Sequence, residues 1–148
     1  MLDQEKIFKV FISSTFKDLS EQRKQAVEVI FEQGHIPIAL ERFSPANESD
    51  LNIIKKAISE CQIYILILGH RYGDLIPGEK KSFTELEYDI AEENGLTILA
   101  FVLDEKESNQ LRKNFDETKE ADSKELNNRE LLIKFRNRSQ GMNFSRAT

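Results

Sequence analysis

Residues 9–18 read KVFISSTFKD, and this stretch sets the pattern of the whole chain. The run that begins at Ile7 alternates loosely between apolar and polar residues and then becomes continuously apolar, which is typical of a strand buried on both faces. Asp18 and Glu21 follow in the D-x-x-E spacing of a capping box. Apolar residues then recur at helical spacing as far as Gly34, at Leu19, Ala26, Val27 and Ile30. The segment therefore predicts a strand over residues 7–12, a polar turn and a capped helix.

The same strand and helix pattern recurs along the chain. HIPIALE (35–41) predicts a second strand, and Ser49 or Asp50 can cap the helix after it. QIYILILG (62–69) predicts a third strand, whose high hydrophobicity indicates a central position. A helix over 82–94 and the strand LTILAFVL (96–103) complete the alternation. Strands that alternate with helices form parallel sheets, so we predict a flavodoxin-like, three-layer α/β fold with strand order 2-1-3-4 and helices on both faces.

The composition indicates one globular domain in a reducing compartment. The chain has 148 residues and a net charge of -5, which argues against nucleic acid as the main partner. Cys61, the single cysteine, cannot form an internal disulfide, so we expect a cytoplasmic protein. The longest apolar run is far short of the roughly 20 residues that span a membrane, so no membrane partner is expected. His35 and His70 stand apart from other ligand residues, and no metal site is predicted.

The composition changes after Asp104. Residues 105–148 begin with a strongly charged stretch, and the apolar residues of ELLIKF (130–135) then recur at helical spacing. We therefore predict an α/β domain over 1–104, followed by a charged linker and a C-terminal helix over 105–148. This helix either docks on the domain or leads to a further domain of a longer protein.

The binding site of such a sheet is expected at the carboxyl ends of its first and third strands, where the strand order reverses. The loops at these ends are SSTFKD (13–18) and GHRYGDLIPGEKKS (69–82), and the second is unusually long. The hydroxyls of Ser13, Ser14 and Thr15 can hold a phosphate or a ribose beside a helix N-terminus, or they can simply satisfy the turn. Neither loop has the glycine spacing of a dinucleotide fingerprint or a P-loop.

Two charged residues fall on the apolar faces of predicted helices. Glu87 lies on the stripe formed by Phe83, Leu86, Ile90 and Ala91, and Arg23 lies among the apolar residues of the first helix. A charge that points toward a core is paired, snorkels to solvent or is functional. Asp18 and Glu41 are the candidate partners of Arg23. Glu85, by contrast, has a structural explanation, because it forms an S-x-x-E capping box with Ser82. We count Ser82, with Asp18, Arg23 and Glu41, among the candidate ligand-binding residues.

The long loop supplies two further candidates for ligand binding. Arg71 and Tyr72 can hydrogen-bond to and stack on a planar ring, or they can pin the loop to the body of the domain. Phe16, in the first loop, is a second aromatic that can stack on a base.

Four motifs in this order, KVFISSTFKDLSEQR, LERF, HRYG and SFTELEYDIA, resemble a TIR-like domain of unknown function. That family stands at the N-terminus of bacterial STAND-type ATPases and defence proteins and is grouped with TIR and SEFIR domains. The resemblance covers residues 9–104. It implies a flavodoxin-like fold and one of two roles, which are self-association for signalling or cleavage of the nicotinamide-ribose bond of NAD by a glutamate.

The resemblance also implies roles for individual residues. In enzymatic TIR domains the catalytic glutamate follows a serine in a pattern like S-x-W-x-x-x-E, and Glu87 matches that glutamate. Here Ser82 is one residue closer to it and the tryptophan is absent. The strand end FISST is similar to the TIR strand that opens VFISY, which places Ser13 and Ser14 in the first loop of the site.

Further expectations concern partners and alternatives. NAD or a related nucleotide is expected as a ligand or substrate, no cofactor is required, and a homo-oligomer is expected. A non-catalytic module that self-associates and an enzyme like the nucleoside deoxyribosyltransferases are the alternatives.

Overall fold

A computed structural model describes residues 6–15, 18–40, 48–103 and 128–147, except for the side chains of 48–50 and 141–147. Strands and helices alternate along most of the chain, and a long helix comes last. In chain order the elements are β1 (Lys9–Ser14), α1 (Ser20–Glu32), β2 (Ile36–Ile38), α2 (Glu48–Ser59), β3 (Ile63–Leu68), α3 (Phe83–Glu93), β4 (Thr97–Val102) and α4 (Arg129–Ala147).

The four strands form an all-parallel sheet in the order β2-β1-β3-β4. This confirms the predicted α/β class, the flavodoxin-like arrangement and the strand order. In the register of β1 with β3, Ser13 lies opposite Leu66. In the part of the chain that the structure describes, no helix has the length and hydrophobicity that a membrane span requires.

The sheet is covered on both faces. One face packs against α2, α3 and α4, and its largest buried side chains include Phe11, Tyr64 and Tyr88. The other face packs against α1, through Val10 and Ile12 of β1 and Leu19 and Ile30. Because side chains alternate along a strand, consecutive residues at the end of β1 point to different helices.

The starts of three elements differ from their predicted positions. β1 begins at Lys9 and includes both serines, because it continues to pair with β3 as far as Ser14. The predicted capping box of α1 is wrong: the N-cap is Leu19, with no side-chain hydrogen bond, and the Asp18 carboxylate accepts instead from the Thr15 hydroxyl. The backbone of α2 is already helical at Glu48, so the predicted caps Ser49 and Asp50 lie inside the helix.

The prediction for α3 is confirmed at both ends. Ser82 is the N-cap and its Oγ accepts a hydrogen bond from the Glu85 backbone N–H at 3.1 Å, while Asn94 is the C-cap. In a complete capping box the Glu85 carboxylate would accept directly from the Ser82 backbone N–H. Here the Tyr72 hydroxyl lies between them, because it accepts from the Ser82 N–H and donates to the Glu85 carboxylate. Tyr72 thus joins the loop after β3 to the first turn of α3.

Helix α4 is part of the same core. Leu132 and Phe135 are buried in the cluster that contains Tyr72 and Tyr88, and the Phe135 ring meets the Tyr88 ring edge-on at 5.4 Å. Arg136 donates to the carbonyl oxygens of Gly69 at 3.3 Å and of Leu103 at 2.6 Å. The last helix therefore binds the carboxyl ends of β3 and β4, which is the edge of the sheet where the site is predicted.

Candidate functional site

The two residues on which the site prediction depends most are in direct contact. Ser13 is the last residue but one of β1 and lies on the face toward α3. Its Oγ donates a hydrogen bond of 2.6 Å to Glu87 Oε1, which is 74 positions later in the sequence. Ser13 is fully buried and Glu87 is 3% exposed. The periodicity argument that placed Glu87 on the buried face of its helix is confirmed. A hydroxyl donor is one way to compensate a carboxylate for the loss of water.

Tyr64 adjoins this pair and was not among the predicted site residues. It lies opposite Phe11 in the register of β1 with β3 and is fully buried, with its hydroxyl 3.5 Å from the Thr84 carbonyl oxygen. Burial, followed by the negative charge of Glu87, raises the pKa of Tyr64 well above 10. Its phenol stays protonated and presents an O–H group near the carboxylate. The available signal was a tyrosine inside the most apolar strand, because a buried hydroxyl needs a partner.

Ser14 and Arg23 form a second contact on the opposite face of the sheet. Arg23 Nη1 donates to Ser14 Oγ at 3.3 Å, and Nη2 donates to the Leu40 carbonyl oxygen. Both side chains are buried. The two unexpected charges, Glu87 and Arg23, therefore lie on different faces of the sheet, each bonded to one of two consecutive serines. Glu41, the other predicted partner of Arg23, lies outside the described residues.

Asp18 joins the first loop to the second. Its side chain is 1% exposed and accepts from the Thr15 hydroxyl. Arg71 Nη1 lies 3.8 Å from Asp18 Oδ1, and His70 Nδ1 lies 3.7 Å from Asp18 Oδ2. The loops that were predicted to meet at the switch point do meet there, through this buried ion pair. Phe16, the remaining candidate of the first loop, lies outside the described residues.

Tyr72 and Ser82 are buried beside the candidate site and are not exposed to solvent. Tyr72 is 1% exposed, and its ring packs edge-on against Phe135 at 6.3 Å. Ser82 is fully buried as the N-cap of α3. In this conformation Tyr72 pins the loop to the body of the domain, which is one of the two roles predicted for it.

The chain matches one family model. The family described as "Domain of unknown function (DUF4062)" matches residues 9–147. The chain belongs to this family. Neither a curated protein nor a solved structure matches the chain. The DUF4062 match includes the C-terminal helix as well as the sheet, and it therefore covers every residue of the candidate site.

The DUF4062 site has a definite chemical character. It holds a carboxylate and a serine hydroxyl near the carboxyl end of β1, the protonated phenol of Tyr64 from the start of β3, and Arg71 and Asp18 in the adjoining loops. Such a set can hold the hydroxyls of a sugar and stabilise positive charge that develops on its ring. Among the described residues no cluster of three or more His, Cys, Asp or Glu side chains is arranged to hold a metal ion.

Proposed function

We propose that this chain is a TIR-like signalling or effector domain that binds NAD or a related nucleotide at the carboxyl ends of β1 and β3 and cleaves its N-glycosidic bond. The proposal places it in a bacterial defence or signal-transduction protein. The observation that carries it is the 2.6 Å hydrogen bond between Ser13 and Glu87, the residues that the resemblance to TIR domains assigns to the first loop and to catalysis. Fold alone does not give function, so the proposal depends on this pair and its surroundings.

In the proposed reaction the bond between the ribose C1′ and the nicotinamide nitrogen breaks, and its electron pair leaves with the neutral base. The Glu87 carboxylate stabilises the oxocarbenium character that develops on the ribose, and a water oxygen forms the new bond to C1′. The water proton passes to the carboxylate and then to solvent. The products are nicotinamide and ADP-ribose, so atoms and charge balance without a redox partner.

Ser13 and Arg71 have supporting parts in this proposal. The Ser13 hydroxyl donates to one oxygen of Glu87 and so helps to orient the carboxylate toward the ribose. Arg71 supplies a positive charge between the two loops, close to where a diphosphate group would lie. Ser14 and Arg23 hold the end of β1 to α1 on the opposite face of the sheet.

A second function is favoured by one specific observation, the 3% exposure of Glu87. A carboxylate so well covered fits a domain that self-associates through its surface and uses the Ser13–Glu87 bond only to hold the strand end to α3. An enzyme of the nucleoside deoxyribosyltransferase kind would use the same groups on a different substrate.

The decisive experiment incubates the full chain with NAD, with other nucleotides and with nucleosides, and measures the release of free base by chromatography. Glu87→Gln keeps an oxygen that accepts from Ser13 but removes the negative charge. We expect base release from NAD by the wild type and a loss of about 100-fold or more in Glu87→Gln, the usual cost of removing electrostatic stabilisation. Glu93→Gln, on the exposed end of the same helix, is the matched control and should keep full activity.

The same experiment separates the alternatives. Base release from nucleosides but not from NAD would favour the deoxyribosyltransferase-like enzyme. No release from any substrate, at protein concentrations where sedimentation shows an oligomer, would contradict the catalytic proposal and favour the self-association module.

A further inference from the structure

The loop after β3 packs against the end of β1 and the start of α3, next to the candidate site. Gly73, with φ of +100°, is so close to its neighbours that an added Cβ would lie 3.1 Å from Thr15 Cγ2 and 3.3 Å from Thr84 Oγ1. Thr15 comes directly after β1, two residues beyond Ser13, and Thr84 lies about one turn before Glu87 on α3. The backbone of Gly73 therefore packs between the end of β1 and the first turn of α3, close in sequence to Ser13 and Glu87.

The loop is held in this position by Tyr72. The Tyr72 hydroxyl donates to the Glu85 carboxylate and accepts from the Ser82 backbone N–H at 3.2 Å, and its ring lies against Phe135 of α4. Tyr72 is the residue next to Gly73, so these contacts fix the segment 70–74 above the site.

Helix α4 contributes to both contacts that hold Tyr72, since it supplies Phe135 and binds the Glu85 carboxylate. Arg138 Nη1 donates to Glu85 at 3.0 Å, its guanidinium lies 4.7 Å from the centre of the Tyr88 ring, and Nη2 contacts Asp89 at 2.7 Å. Arg136 binds the Gly69 carbonyl at the start of the loop. A continuous set of contacts thus runs from α4 through Glu85 and Tyr72 to the Gly73 backbone, which packs against Thr15 and Thr84.

We infer that α4 is an autoinhibitory helix: while it is docked it keeps the segment 70–74 closed over Ser13 and Glu87, and its displacement opens the site. The catalytic consequence rests on the proposed function, but the control of access does not. The inference accounts for a candidate catalytic carboxylate that is 3% exposed, because the conformation described is the closed one. A partner or an assembly step that takes α4 away from α3 would then switch the domain on.

The test measures access to the site without any substrate. Thr84→Cys places a thiol beneath Gly73, and its rate of reaction with an aromatic disulfide reagent reports how often the segment 70–74 opens. Cys61 is an internal reference, since it is buried away from the site and burial raises the pKa of its thiol to about 11. Mass spectrometry of the labelled peptides distinguishes the two cysteines.

Arg138→Ala and Tyr72→Phe are introduced separately into Thr84→Cys. Each removes a hydrogen bond to the Glu85 carboxylate, so we expect labelling at position 84 to become about tenfold faster in each, while Cys61 stays slow. Lys134→Ala is the matched control, because Lys134 lies exposed on the same helix and its loss should leave both rates unchanged.

Two results would overturn the inference. One is an unchanged labelling rate at position 84 in both variants. The other is equal acceleration at position 84 and at Cys61, which would mean that the whole domain unfolds and that the loop does not open on its own. Faster labelling at position 84 without base release from NAD would support the control of access by α4 and contradict the proposed catalysis, so the two failures are distinguishable.

Discussion

At the scale of single residues, the end of β1 connects two helices to the sheet through a pair of hydroxyls. Ser13 bonds to Glu87 of α3 on one face, and Ser14 bonds to Arg23 of α1 on the other. A hydrogen bond to a charged group contributes about 1.5–3 kcal/mol, which explains why a buried strand ends in short polar side chains. Periodicity predicted that both charges point inward. It could not predict their partners, because these depend on which face each residue of β1 occupies.

Tyr72 gives a prediction for the dependence of stability on pH. Burial, followed by the hydrogen bond to Glu85, raises the pKa of its phenol from 10.0 to about 12. Between pH 10 and 12 the unfolded chain loses this proton while the folded chain keeps it, so the free energy of unfolding must fall as the pH rises. This group contributes about 2 kcal/mol of that fall by pH 11.5. Urea unfolding at pH 9.5 and 11.5 measures it.

Tyr72→Phe is the comparison, because it keeps the ring and removes the titrating group. The variant should be less stable than the wild type at pH 9.5 but should lose about 2 kcal/mol less on going to pH 11.5. Tyr64 and Cys61 titrate in both proteins and cancel in the difference. Equal losses in the two proteins would show that Tyr72 is ionised as easily in the folded state as in the unfolded chain.

At the scale of elements, a helix boundary could be predicted from sequence where its cap is local, but not where residues distant in the chain decide it. The start of α3 could be predicted because its cap is local: the Ser82 Oγ accepts a hydrogen bond from the Glu85 backbone N–H of the same helix. The start of α1 could not, because the Asp18 side chain is engaged by Thr15 and Arg71. Tyr88 is buried although it lies off the predicted apolar stripe of α3, since Phe135 and Arg138 of α4 cover it. A helix packed on two sides does not show a single stripe in sequence.

The loop between β3 and α3 allows a comparison of two glycines. Gly73 and Gly78 have φ of +100° and +80°, where a side chain costs about 1–2 kcal/mol. An added Cβ meets nothing within 4 Å at Gly78, but it meets Thr15 and Thr84 at Gly73. Gly73→Ala should therefore lower the free energy of unfolding by more than Gly78→Ala in urea unfolding. Equal losses would show that the backbone at Gly73 moves without cost and that its close packing is unimportant.

At the scale of the whole molecule, the alternation of strands and helices was sufficient to predict the sheet. The packing of α4 was not predicted in detail, because its buried positions Leu132 and Phe135 are spaced among charged residues at the end of a charged stretch. No local pattern shows which side of the sheet such a helix covers. Its place on α3 is fixed by contacts with residues far earlier in the chain, such as Arg136 with Gly69.

The position of α4 in the core leads to a further prediction. Phe135→Ala removes a fully buried ring that touches Tyr72 and Tyr88, and should lower the free energy of unfolding by about 3–5 kcal/mol. Ile133→Ala on the same helix removes a side chain that is 47% exposed, and should change it by about 0.5 kcal/mol or less. Urea unfolding of both variants is the measurement. Similar small losses in the two would contradict a core that includes α4.

The separation of 74 positions between Ser13 and Glu87 also bears on the kinetics of folding. Every neighbouring pair of strands in this sheet is parallel, so each pairing must wait until a crossover segment has been closed into a loop. Serine and glutamate meet only after β1 has found β3 and α3 has settled against both. The candidate site is therefore assembled late in folding, and a nascent or partly folded chain lacks the contact between Ser13 and Glu87.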